Sequence, residues 1–220
     1  MFLSDGVNGE GDNRRDALIL AARDLIEECG LDGLTIRAVL ARSGLARRAF
    51  YDHFSGKDDL LLGVFQSTLA GAAERIRGLF PANASPADRL EFLIKSIVLG
   101  RSHLDHEQAM RGDRHGAALS LEHLRLAQSH PAQLRAAVRP LIDLVAELLT
   151  EGVAARQFQC AAIEASASLL YNLVSTTVHA EILAGEGGAI DAGRRRQLAE
   201  DIWAFCCNGI GAISPTRAAA

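Results

Sequence analysis

The run Arg47-Arg48-Ala49-Phe50-Tyr51-Asp52-His53-Phe54 gathers the side chains of this chain best suited to touching a polyanion. A guanidinium can bond phosphate oxygens or hold guanine O6 and N7 together, and a tyrosine hydroxyl or imidazole N–H can donate to the phosphate backbone. Residues 35 to 57 contain Arg37, Arg42, Arg47, Arg48 and Lys57 against Asp52 alone, so 5 minus 1 gives a local balance of +4 in a chain whose formal net charge is -4. Affinity for nucleic acid follows local phosphate neutralisation and counterion release, so the acidic total does not exclude such a partner. A solvated helix face is the plainer account of Arg42. It leaves Tyr51 and His53, set among cations, without a reason.

Other chemistry-bearing groups are weaker. His103, His106 and Glu107 share one helical face at i, i+3 and i+4, with His115 nearby, but neither HExxH nor a repeated Glu-x-x-His occurs, so no metal site is expected. A polar helix end accounts for them equally well. No GxSxG, Walker loop or dinucleotide fingerprint is present, and GEGGA at 185 to 189 follows a helix with no strand before it, so it reads as a linker. Neither an enzyme nor a cofactor is expected. The four cysteines show no CxxC spacing and read as buried free thiols.

These residues need a scaffold, and the scaffold reads as all-α, because apolar positions recur at helical spacing and strand alternation is almost absent. At 220 residues and 49% hydrophobic, the chain can bury a sizeable core. About nine helices are expected, over roughly 14–29, 35–43, 46–54, 57–79, 88–106, 117–129, 132–155, 161–184 and 190–212. Thr35 is placed as an N-cap, Gly30 and Gly44 as stops, and FPANASP at 80–86 as a turn. Pro140 predicts a kink or a break in the seventh helix. The Gly/Asp/Asn-rich start, 1–13, reads as a disordered arm without the pattern of a secretory signal, and 213–220 as a tail. The apolar runs fall short of the ~18 to 20 residues that a membrane span needs, which points to the cytoplasm.

Two short helices joined at Gly44 have the length and break of a helix-turn-helix. The pattern T-I-R-A-V-L-A-R-S-G-L-A-R-R-A-F-Y-D-H-F-S-G-K-D-D-L-L, residues 35–61, resembles the DNA-binding region of the TetR/AcrR family of bacterial transcriptional regulators. Phe50-Tyr51-x-His53-Phe54, Lys57 and Asp59-Leu60 carry it most specifically, and with the preceding helix it covers about residues 14–62. The resemblance implies that Thr35 meets a phosphate, that Arg37 and Arg47 reach base edges, and that Arg48 does the same or clamps the backbone. It implies phosphate-contacting or orienting roles for Tyr51, His53 and Lys57, and a small core of Leu45, Phe50 and Phe54. Leu40, Ala46 and Ala49 depart from the family's usual alanine, serine and threonine. The last two remove hydroxyls, so the double arginine is expected to carry more of the affinity.

The resemblance also implies a helix-turn-helix domain over 14–62, followed by an effector-binding and dimerisation domain over 63–212. A single reading head makes few base contacts, so a homodimer on a double-stranded operator with two half-sites is expected. Its interface would use the small-residue stripes of the last two helices, with Leu170, Leu173, Thr177, Leu198, Ile202, Trp203 and Phe205. Ordinary packing within the chain would satisfy the same stripes. An apolar or amphipathic effector would bind among Phe92, Ser96, His103, Met110, His123 and Asn172 and release a repressor from its operator. The rival is a helical small-molecule-binding or metal-binding protein that never touches DNA.

Overall fold

A computed structural model describes residues 6–100, 122–184 and 192–211. The described residues form nine helical segments and no strand: α1 Gly6–Cys29, α2 Ile36–Ser43, α3 Arg47–Tyr51, α4 Lys57–Gly78, α5 Pro86–Leu99, α6 122–129, α7 Pro131–Ala154, α8 Ile163–Ala184 and α9 Ala192–Gly209. Local chemistry sets many of the ends. Thr35 accepts a hydrogen bond from the Ala38 N–H at 3.1 Å and caps α2. Ser85 and Asp88 form a reciprocal capping box on α5, with Pro86 in the first turn, where its missing N–H costs nothing.

Several ends differ from the sequence expectation. Backbone helix reaches back to Gly6, so the expected arm at 1–13 is in part the first turns of α1. Extending a helix already nucleated on a packed segment costs far less than starting one. Gly100 has φ of 69° and donates its N–H to the Ser96 carbonyl, ending α5 at Leu99 instead of near His106. Pro140 lies inside one continuous helix, α7, with buried Ala137, Val138, Leu141, Leu144 and Val145 on both sides of the missing ladder bond.

The chain divides into two compact units, and not at residue 62. Unit one takes the described residues through Leu69 together with 122–138; unit two takes Ala70 to Gly100, the rest of α7, α8 and α9. The reason lies in α6, which joins unit one through an ion pair from Arg125 to Asp58 and a ring contact from His123 to Phe65. In unit one α1 packs on α2 and α3 over Leu18, Ile26, Leu34, Val39 and Phe50. In unit two α5 packs on α8 and α9, burying Leu90, Leu93, Ile94, Tyr171, Val174, Leu198 and Ile202. Lys95 of α5 reaches Glu200 of α9 at 2.7 Å. The cysteines are free, but against expectation only Cys206 is buried, where burial pushes its thiol up to about 11; Cys29 at the end of α1 is exposed, and Cys160 and Cys207 are half-buried.

Two stability predictions follow from this packing. A methyl group at Gly152 would stand 2.1 Å from the ring of Phe158, which folds back over the end of α7. Gly152→Ala should therefore lower stability by about 1–3 kcal/mol despite alanine's better helix propensity, read as a lower urea midpoint. His123 stands with its ring 6.1 Å from that of Phe65, and burial holds its imidazole below the ordinary 6.5. The folded state then takes up this proton less readily than the unfolded chain. The stabilisation is complete above about pH 6.5 and fades as pH falls below it. The melting temperature should drop from about pH 7 to about pH 5, and His123→Phe should shrink that drop.

Candidate nucleic-acid interface

The short helix α3 is held by one face and presents the other. Phe50 is completely buried and Phe54 nearly so, their rings 5.8 Å apart. Arg15 of α1 lies over the Phe54 ring at 5.6 Å, adding a cation–π contact from a neighbouring helix. With Phe50 inward, the helical period turns Arg47, Arg48 and Tyr51 outward, and all three are exposed. Gly44, at φ of 69°, makes the turn before α3 and donates its N–H to the Leu40 carbonyl, a backbone shape that suits glycine. Ala46 occupies the N-cap position of α3 and supplies no side-chain cap, as its lost hydroxyl requires.

The outward groups are ordered among themselves. The Arg47 guanidinium sits over the Tyr51 ring at 5.7 Å, and its Nη2 donates to the Tyr51 hydroxyl at 3.4 Å. Thr35 and Arg37 are exposed at the start of α2, and the Thr35 oxygen already serves the helix cap. His53 is half-buried, and its backbone N–H bonds the Phe50 carbonyl. Lys57, exposed at the start of α4, donates through Nζ to the Leu31 carbonyl at 3.3 Å. Beside it the Asp59 carboxylate accepts from the Ser55 N–H at 2.9 Å, tying down the chain that enters α4. Thus the seven residues expected to meet DNA all fall in unit one, within the helix-turn-helix and the start of α4.

Arg42 is the exception among the cations. Its guanidinium forks onto Glu28 of α1 at 2.9 and 2.5 Å, and this pairing lowers the Glu28 pKa and raises that of Arg42. The face is not merely solvated, and the +4 balance counted along the chain is reduced by a carboxylate from outside the segment. No local signal could have paired residues 14 apart on different helices.

The expected effector-pocket residues are described only in part. His103 and Met110 lie outside the described residues, as do His106, Glu107 and His115. Phe92 and Ser96 are on α5 in unit two, Phe92 with its ring 6.1 Å from that of Phe80. Ser96 is buried, and its hydroxyl has no hydrogen-bond partner among the described residues. Asn172 is exposed, because buried Tyr171, Val174 and Ser175 occupy the inward side of α8. His123 belongs to unit one. A cavity of about 400 Å³ in unit two is lined instead by Arg77, Phe80, Pro81, Ala82, Ala84, Arg89, Glu147 and Leu148. Arg77 pairs there with Glu147 at 2.5 Å, and Arg89 pairs with Glu151.

The expected interface residues also separate. Leu170, Leu198 and Ile202 are buried within the single chain, whereas Leu173, Thr177 and Trp203 are half-buried. Phe205 is 66% exposed, and Leu169 of α8, which periodicity did not single out, is 69% exposed. No described helix is long and apolar enough to cross a membrane.

Comparison with known proteins agrees with this geometry. Residues 18–64 match the family described as bacterial regulatory proteins, tetR family. The transcriptional repressor KstR2 of Mycobacterium tuberculosis is 28% identical over 99 residues, a match spanning 45% of this chain and 50% of that protein, so the chain spans about half the length of the curated relative. Among solved structures, the fatty acid degradation regulator FadR from Bacillus halodurans is similar with a TM-score of 0.64 at 19% identity, over 91% of this chain and 97% of that one. RolR in complex with resorcinol gives a TM-score of 0.66 at 16% identity, over 93% and 91%. Residues 18–64 thus carry the sequence of the tetR family of bacterial regulatory proteins, and nine-tenths of the chain shares the helical fold of these solved regulators.

Proposed function

We propose that the protein is a cytoplasmic, homodimeric transcriptional regulator that binds a double-stranded operator and is released from it by a small apolar or amphipathic effector. The observation that carries the DNA-binding part is α3, pinned by Phe50 and turning Arg47, Arg48 and Tyr51 outward beside Arg37 and Lys57. In this reading Arg47 and Arg37 contact base edges, Arg48 contacts a base or the backbone, and Thr35, Tyr51, His53 and Lys57 contact or orient phosphates. The kinship with KstR2, a repressor by name, supports repression over activation. Binding requires no net positive chain, because phosphate neutralisation is local.

The dimer reading rests on α8 and α9. Leu169 and Phe205 leave large apolar surface uncovered in the single chain, which a second copy would bury. The effector reading rests on the fold and on the buried Ser96 hydroxyl, which has no partner among the described residues and which a polar group on an otherwise apolar ligand would satisfy. α4 starts at Lys57 and runs to Gly78, from unit one into unit two, and so offers a covalent route for the signal. RolR is solved with resorcinol and FadR is named for fatty acid degradation, two chemistries that leave the effector of this chain open.

Fluorescence anisotropy with the duplex upstream of the protein's own gene should show binding that weakens steeply with salt; salt-insensitive or absent binding would leave the DNA-free alternative standing. Arg47→Ala should lose about 1–3 kcal/mol of discrimination between cognate and mismatched duplexes, whereas Lys57→Ala should weaken all duplexes about equally. The role assignment fails if the two variants behave alike. In light scattering the protein should run as a dimer, and the double substitution Leu169→Glu, Phe205→Glu should convert it to monomer while its helical content is retained.

A further inference from the structure

We propose that Arg125 is a positioning residue of the DNA-contacting head: its guanidinium braces the first turn of α4 through Asp58 and so holds Lys57 and the recognition segment in the arrangement a duplex meets. The inference rests on the DNA-binding reading above. Arg125 lies 67 residues beyond Asp58, far outside the helix-turn-helix, yet α6 and the first turn of α4 belong to the same compact unit.

The contact has the geometry of a clamp. Nη2 and Nη1 of Arg125 donate to the two carboxylate oxygens of Asp58 at 2.6 and 3.0 Å, and Nε donates to Glu122 at 2.7 Å. Three bonds from one planar group fix its orientation as well as its distance. The same guanidinium holds the Asp58 carboxyl below the usual carboxylate range. On the other side of this turn, Lys57 is tied to the Leu31 carbonyl just ahead of α2. Lys57 and Asp58 are neighbours, so the turn is secured to the start of the helix-turn-helix through one and to α6 through the other.

Packing alone does not secure it. A hollow of about 580 Å³ lies against this turn, bordered by Gly56, Lys57, Asp58, Leu62, His130 and Gln133. The His130 ring stays 4.0 Å from Asp58, too long for a direct hydrogen bond, and bonds Ser129 instead. The brace therefore joins the Lys57–Leu31 and Ser55–Asp59 contacts as a polar restraint on this turn, and is the one among the three that comes from α6.

Anisotropy titrations of the full chain with the upstream duplex distinguish the brace from bulk charge. Asp58→Asn removes a negative charge, so long-range electrostatics alone predicts tighter binding; loss of the brace predicts binding weaker by about threefold. Arg125→Lys keeps the charge but loses the fork, and should weaken binding to a similar extent. The double variant Asp58→Asn, Arg125→Lys should be no weaker than either single one, because the same contact is already broken. Circular dichroism should show all three variants helical. Equal or tighter binding by Asp58→Asn, or losses that simply add in the double variant, would overturn the brace. Absence of salt-sensitive binding by the wild type would overturn the DNA-binding reading itself, and the brace with it.

Discussion

The burial of Phe50 is the constraint on which the rest of the head depends. A helix as short as α3, Arg47–Tyr51, cannot sustain itself in water, since nucleation fixes several residues for a single hydrogen bond. What keeps it helical is the fully buried Phe50 ring where α3 packs on α1, backed by Phe54, whose own ring lies under Arg15. Once that ring is seated, the direction of every other side chain in the segment follows from the helical period. The outward arginines are a geometric consequence of one inward phenylalanine.

Polar contacts then refine what packing has placed. Gly44 lets the chain reverse, Thr35 closes the start of α2, and Asp59 gathers the chain entering α4. Glu28 draws Arg42 away from the exposed cations and onto α1, so that the positive surface is edged by a neutral pair. In unit two the same pattern recurs on a larger scale, with Arg77, Arg89 and Lys95 each tied to a glutamate on another helix around an apolar interior. Partly exposed pairs of this kind contribute little individually, and their worth lies in register.

How much of this could be read from the chain depended on range. The caps and stops are local, so Thr35, Gly30, Gly44 and the Ser85-Pro86 start are visible as residue types, and the outward arginines follow from the spacing to Phe50. The pairing of Arg42 with Glu28, and of Arg125 with Asp58, joins helices whose approach no local pattern encodes. Periodicity identified the apolar stripes of α8 and α9 but not what covers them, so Leu170, Leu198 and Ile202 read as interface residues although α5 and its neighbours already bury them. Gly100 ended a helix that its apolar pattern would have prolonged, because a positive φ outweighs periodicity.

The stack of Arg47 on Tyr51 bears on how quickly, and not only how tightly, a ligand could be engaged. An arginine on open surface samples many rotamers, and ordering it on contact costs up to about 2 kcal/mol of conformational entropy. Here an aromatic ring limits that freedom beforehand, so under the proposed DNA-binding reading the guanidinium would meet a base close to a single orientation. A partner that matches the orientation keeps the full benefit of the contact, and one that does not must first break the stack. Under that reading, selectivity is built partly into the unbound state, as a preference the surface holds before anything arrives.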